Sequence, residues 1–308
     1  MSEATWLKVI IPATSDQVEA IEALCWSHGA AAVSLLDGAD QALLEPAPGE
    51  LPLWSEVLVE VLLPADPSHS GLQTMLMALK AASLIEDLSD LSIHTLADQP
   101  WERAWMDAFQ PMRFGSRLLV CPWHCTPDVT APAVLRLDPG LAFGSGTHAT
   151  TALCLQWLDA ADLEGKAVID FGCGSGVLAL AAGLLGAARL IAVDHDPQAL
   201  VATRDNAQRN QLKTPLSVMT PEAFEGSTAT ADLILANILA HPLIHLAPRL
   251  IERLRPGGHL VLSGLLSAQT EEVSAAYRHA LGEPTCAEHD GWVRLVFNRT
   301  AQSEAPTS

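Results

Sequence analysis

One turn of the chain concentrates residues able to do chemistry. Val168-Ile169-Asp170-Phe171-Gly172-Cys173-Gly174-Ser175-Gly176 runs an apolar strand into a bend with glycine at every second position, and an Ala/Leu-rich helix pattern comes next. Glycine permits the tight bend and lets a ligand reach the backbone. A dinucleotide fingerprint, Gly-x-Gly-x-x-Gly, needs glycine where Val177 stands, and there is no Gly-Lys-Ser/Thr of a Walker loop. The acid Asp170 beside the turn repels pyrophosphate and suits a ligand that is positively charged and carries no phosphate. Asp194 closes the next apolar run, 22 residues after Gly172, where a carboxylate can accept both hydroxyls of a ribose. Asp196, before Pro197, reads as a helix N-cap. Asn237 ends a further apolar run. Ligands in open parallel sheets sit outside strand C-termini, so Asp170, Gly172, Gly174, Asp194 and Asn237 are candidates for a single edge. Upstream, Leu137–Thr151 is a polar, Gly-rich stretch feeding a helix at Thr151. It reads as a lid whose helix-start amides could hold a carboxylate.

The elements needed to position these residues emerge from the hydrophobic pattern. Strand-like runs at Ala167–Phe171, Leu190–Asp194, Leu216–Met219, Leu233–Asn237 and His259–Leu265 alternate with helical segments. This predicts an α/β domain with a mostly parallel sheet and helices on both faces. Thr285–Glu288 and Trp292–Asn298, around Asp290-Gly291, read as a hairpin that ends the sheet antiparallel and brings it to seven strands. The N-terminal part reads β-α-β-β-α-β: strands at Trp6–Pro12, Ala31–Leu36, Glu56–Leu63 and Leu91–Leu96, with helices over Ser15–His28 and Gly71–Ile85. That order is the ferredoxin-like α+β arrangement. Val18, Ile21, Ala23 and Leu24 form the apolar stripe of the first helix, and Gly29 stands where a helix-ending glycine belongs. Residues 97–130 read as a connector: Trp101, Trp105 and Phe109 share one face of a short helix, and Pro111, Gly115, Pro122 and Pro127 interrupt the rest of the segment. The expected organisation is a small domain over 1–96, the connector, an α/β domain over 131–300 and a polar tail at 301–308.

Composition narrows the function classes. With 49% hydrophobic residues in 308, global disorder is excluded. The net charge of −19 disfavours a phosphate-backbone partner, so no direct nucleic-acid binding is expected. The acid is unevenly spread: residues 1–95 carry only Lys8 and Lys80 against fourteen carboxylates, a net of −12, and the rest of the chain carries −7. An acidic surface can serve solubility alone, or it can select a basic partner. No export signal or membrane span is legible, and six irregularly spaced cysteines indicate no disulfide scaffold, so a cytoplasmic protein is expected. Cys121, His124 and Cys125 lack a second ligand pair with zinc spacing, and Cys173 lacks an activating neighbour, so neither a metal site nor a thiol nucleophile is expected.

The glycine turn after Asp170, with Asp194 and Asn237, resembles class I S-adenosylmethionine-dependent methyltransferases. More narrowly, Leu137-Asp138-Pro139-Gly140-Leu141-Ala142-Phe143-Gly144-Ser145-Gly146-Thr147-His148-Ala149-Thr150-Thr151 is similar to the loop of the PrmA family. These enzymes methylate protein eleven of the large ribosomal subunit, and their stretch reads close to LDPGLAFGTGTHPTT. Here Ser145 stands for a Thr and Ala149 for a Pro. Asn237-Ile238-Leu239-Ala240 matches the family too, as does Trp101-Glu102-Arg103-Ala104-Trp105 with Phe109, Pro111 and Phe114-Gly115. The resemblance implies a Rossmann-like class I methyltransferase domain behind a substrate-binding lobe, with S-adenosylmethionine as cofactor. It places cofactor contacts at Thr151, Gly172, Asp194 and Asn237, with Phe143, Thr147 and His148 bordering the methyl group and the incoming amine. It further implies methyl transfer to lysine ε-amines and the N-terminal α-amine of that ribosomal protein. Amide and base methyltransferases carry Asn-Pro-Pro-Tyr or a variant where this chain has Asn-Ile-Leu-Ala, which favours an aliphatic amine. Asn237 and loop carbonyls are expected to position the amine while water removes its proton, with His148 as an alternative acceptor. On this reading the acidic lobe docks a basic protein. Two other readings stay open here: a methyltransferase acting on another protein, a small molecule or RNA, and a binding protein with a decayed cofactor site.

Overall fold

Val57, Val59 and Val61 are fully buried while their neighbours Leu58, Glu60 and Leu62 are only partly covered, the period of two that a one-sided sheet requires. They lie in the first of two compact units, Met1–Ala104 and Trp105–Ser308, of a computed structural model that describes residues 5–39, 41, 53–65, 70–97, 109–128, 130–138 and 148–301. In this unit β1 (Thr5–Thr14), β2 (Ala32–Asp37), β3 (Glu56–Pro64) and β4 (Ser92–Ala97) form an antiparallel sheet of order β2-β3-β1-β4. With α1 (Val18–Ser27) and α2 (Ser70–Ala81) between them, this is the expected ferredoxin-like topology. Val9, Ile11, Val59 and Val61 meet Ile21, Cys25, Met75 and Leu79 in one core. The stripe of α1 differs from the expected one: Ala23 is exposed, and the third buried position after Val18 and Ile21 is Cys25. Spacing explains it, since 18, 21 and 25 recur at three and four residues and 23 falls on the far side. Gly29 comes after the helix with φ +88°, as a helix-ending glycine does.

The second unit begins inside the segment read as a connector. There β5 (Met112–Phe114), β6 (Leu118–Cys121) and β7 (Ala133–Arg136) form a three-stranded sheet, β5 antiparallel and β7 parallel to β6. The connector reading is corrected for this stretch: Phe114, Leu118 and Val120 are part of the second unit's core. Strands of three or four residues are too short to show a period, and all four residues of β6 are buried, so no alternation marks it. The expected helix face of Trp101 and Trp105 lies outside the described residues.

The seven-stranded sheet comprises β8 (Ala167–Phe171), β9 (Arg189–Val193), β10 (Leu216–Met219), β11 (Ala231–Asn237), β12 (Leu254–Leu266), β13 (Thr285–His289) and β14 (Trp292–Asn298), in the order β10-β9-β8-β11-β12-β14-β13. Pairing is parallel from β10 to β12 and antiparallel for the closing hairpin, as expected. The helices are α3 (Ala149–Ala160), α4 (Val177–Leu184), α5 (Pro197–Arg209), α6 (Pro221–Glu225), α7 (Ala240–Arg253) and α8 (Thr270–Leu281). Leu235 and Val261 pack under α3 and α4, whereas Ile234 and Leu260 pack under α7 and α8, so both faces are covered. From β8 the chain moves outward through β9 and β10, then returns to place β11 on the other side. The resulting switch point between β8 and β11 opens a crevice at their C-terminal ends. Among the described residues no helix is long and apolar enough to cross a membrane.

Candidate active site

The glycine turn sits at that switch point. Gly172, Gly174 and Gly176 have φ of +79°, +53° and +81°, the left-handed region that other residues enter at a cost. A Cβ on Gly172 would lie 2.2 Å from Ile238 Cγ2, so this position is closed to side chains for reasons of space as well. Gly172 N and Cys173 N donate to Val193 O at 2.7 and 3.0 Å, which hangs the turn from the end of β9. Gly174 N donates to Asp194 Oδ2 at 2.8 Å, and Asp196 N donates to Asp194 Oδ1 at 3.0 Å. The ribose candidate therefore also holds the turn. Asp196 caps α5 with Pro197 at its first position, as its sequence setting implies.

Among the described residues, two buried oxygens at this edge have no partner. Asp170 is 1% exposed; its Oδ2 accepts from Ala179 N at 2.9 Å at the start of α4, and its Oδ1 is unpaired. Burial, helped by the charge of Asp194, pushes this carboxyl up to about 7, and the bond from Ala179 only partly offsets it. Asn237 Nδ2 donates to Thr151 Oγ1 at 3.2 Å, which orients the amide and leaves Oδ1 buried and unpaired. Nearly all buried polar atoms in folded proteins are paired, so two exceptions at one crevice point to a ligand that completes them. His148 caps α3: Thr150 N donates to its Nδ1, and Thr150 Oγ1 lies 2.8 Å from the same atom. The His148 ring packs against Trp292 at 4.9 Å and 69°.

The crevice holds a cavity of about 570 Å³, and the fully buried Asp170 is not on its wall. Of the residues singled out in the sequence, His148, Gly172, Asp194 and Asn237 line the cavity. The rest of the wall is mainly apolar, from Phe171, Pro221, Ile238, Pro242, Leu246 and Trp292. Gly174 and Thr151 act from behind the wall, through Asp194 and Asn237, and the hydroxyl on the wall belongs to Thr150. Phe143 and Thr147 lie outside the described residues. Sequence reasoning missed Thr150, Ile238, Gly264 and Trp292. A signal existed for Gly264, because glycine inside a strand marks a close approach of another backbone. Its Cβ would meet Ile238 O at 2.3 Å, and β12 shifts register against β14 around it. The Cys173 thiol is pushed up to about 12, chiefly by burial, which favours the protonated form.

The sequence profile of the ribosomal protein L11 methyltransferase (PrmA) family matches residues 5–300, across both units. The chain belongs to this family. It is 49% identical over 298 residues to the ribosomal protein L11 methyltransferase of Marinobacter nauticus, covering 96% of this chain and 98% of that one. To the enzyme of that name from Pseudomonas aeruginosa it is 48% identical over 297 residues, covering 96% and 99%. The crystal structure of a ribosomal protein L11 methylase from Lactobacillus delbrueckii subsp. bulgaricus is similar with a TM-score of 0.57 and 29% identity, covering 62% of this chain and all of that one. The second unit, with its large mostly parallel sheet, is the Rossmann-like class I methyltransferase fold of that family.

Proposed function

We propose that this chain transfers methyl groups from S-adenosylmethionine to lysine ε-amines and the N-terminal α-amine of large-subunit ribosomal protein eleven. The observation that carries the reading is Asn237 Oδ1, buried and without a partner among the described residues, beside the left-handed glycine turn and Asp194 in a chain of the PrmA family. The residues suit the donor. The glycine turn admits a ligand against the backbone, Asp194 offers its carboxylate to a ribose, and the buried Asp170 favours a cationic group nearby. Bound there, S-adenosylmethionine supplies a methyl group on a sulfonium that an amine lone pair can attack in line.

The chain's own task is to align and desolvate. A lysine amine has an ordinary pKa of about 10.4 and must lose a proton before it can attack. The apolar wall of Ile238, Leu239 and Trp292 disfavours the charged form and lowers the cost of that loss. Asn237 Oδ1 accepts a hydrogen bond from the neutral amine while Thr151 fixes the amide plane. The proton passes to water. His148 is committed at Nδ1 to the cap of α3, so its role on this reading is to border the amine. Residues 1–95, with their net charge of −12, supply the docking lobe for a basic ribosomal protein, a substrate that fits a cytoplasmic enzyme.

Incubating the chain with tritiated S-adenosylmethionine and, separately, purified large-subunit proteins, ribosomal RNA and buffer tests the reading. Label is expected in protein eleven; label confined to RNA overturns it. If the acidic lobe docks the substrate, KM for the protein rises several-fold between roughly 50 and 200 mM salt, as surface electrostatics screen on the order of 10 Å. A KM indifferent to salt leaves the acid with solubility alone.

A further inference from the structure

We propose that one face of α5 positions the glycine turn, with Thr203 and Asn206 setting the affinity for the methyl donor without touching it. The inference rests on the reading of this crevice as the S-adenosylmethionine site. Three left-handed glycines in five residues give a backbone with little conformational preference of its own. Its amides are tied to β9 and Asp194, but its carbonyls at 174 and 175 need other partners. Thr203 Oγ1 donates to Gly174 O at 3.0 Å, and Asn206 Nδ2 donates to Ser175 O at 2.9 Å. Cys173 Sγ lies 3.4 Å from the same Thr203 hydroxyl. Thr203 is fully buried, and a Cβ added to Gly176 would come within 2.9 Å of both its Oγ1 and its Cγ2. The turn is thus pressed onto α5 as well as bonded to it.

The helix joins the two halves of the donor site. Asp194, its cap Asp196, and then Thr203 and Asn206 lie along one stretch of chain, so the ribose acid and the turn are held by one rigid body. A turn whose carbonyl planes are fixed presents one arrangement of amides to the ligand; released, it must be ordered at each binding event, and affinity falls. Further along the same face, Asn210 brackets Arg136: its Oδ1 accepts from Arg136 N at 2.7 Å and its Nδ2 donates to Arg136 O at 2.8 Å. That contact secures β7 and touches no part of the glycine turn.

The test uses the full chain and compares Thr203→Val, Thr203→Ser, Asn206→Asp and Asn210→Leu. Calorimetry gives the Kd for S-adenosylmethionine, thermal unfolding gives stability, and steady-state assays separate KM from kcat. Thr203→Val and Asn206→Asp each remove a donor from a part-buried carbonyl while keeping side-chain volume. Each is expected to raise Kd and the donor KM about tenfold with kcat nearly kept. Thr203→Ser, which keeps the hydroxyl, is expected to bind within about twofold of wild type. Asn210→Leu is expected to lower Tm and leave Kd unchanged. A Kd unmoved in Thr203→Val and Asn206→Asp overturns the inference alone, as does a loss of affinity in all the variants that merely tracks Tm. A wild-type chain that takes up no S-adenosylmethionine overturns both the functional reading and this inference.

Discussion

The two edges of the seven-stranded sheet both carry cavities, and they are finished in opposite ways. At the strand C-termini lies the 570 Å³ crevice, lined by Asn237, whose Oδ1 is buried and without a partner among the described residues, as is Oδ1 of Asp170 off its wall. At the N-termini lies a cavity of about 350 Å³ lined by Trp157, Leu163, Lys166, Asp232, Gly257 and His259. Its Asp232 and His259 are bonded from within the chain. Asp232 Oδ2 accepts from Ala167 N at 2.8 Å and from Arg255 at 3.0 Å, and Trp157 packs edge-on to His259 at 5.6 Å. Space alone therefore does not distinguish a site. A buried oxygen without a partner costs about 1–3 kcal/mol, and such atoms are expected to persist where a ligand supplies the missing bond.

Four substitutions can break that contrast or sharpen it. Gly172→Ala is expected to have the largest effect, because it combines a left-handed φ with an overlap on Ile238. Calorimetry should show donor binding weakened by about a hundredfold or more, and retention within about threefold would remove the turn from the site. Asp170→Asn isolates the unpaired acid. A carboxyl raised to about 7 in the folded state from an ordinary value near 3.8 stabilises the fold fully only below the lower value and loses that contribution as pH rises through the higher one. Denaturant unfolding of Asp170→Asn should therefore gain on wild type by on the order of 4 kcal/mol between about pH 4 and pH 8. A difference that does not change with pH would mean Asp170 titrates normally. Asp194→Asn keeps shape but weakens both the ribose contact and the bond from Gly174, so the donor KM should rise about tenfold with kcat less affected. At the opposite edge, Asp232→Asn should cost only about 1 kcal/mol of stability and leave kcat/KM unchanged; a change in kcat/KM would show that the paired edge also serves the reaction.

Much of this arrangement was legible from residue types and order. The apolar runs mark β8 and β10 at their observed bounds, because strands covered on both faces appear as unbroken apolar stretches ended by turn residues. Gly172, Asp194 and Asn237 were legible because each ends such a run, and the order of strands carries run-ends to one edge. β5, β6 and β7 were not, since runs of three or four residues hold too little pattern. Nor were Trp292 and Thr203, which come from a later hairpin and from mid-helix and meet the site only through packing.

The amino-acid sequence by itself determined which groups stand at the strand ends: an acid, three glycines, a second acid and an amide. Only the tertiary structure decided what each of them does. Asp194, the ribose candidate, became turn support as well, Thr151 became the holder of Asn237, and two oxygens were left without partners among the described residues. The reason is that hydrogen-bond satisfaction is a property of three-dimensional neighbourhoods. Thr151 and Asn237 are 86 residues apart in the chain, and no local pattern records that one hydroxyl occupies the other's amide.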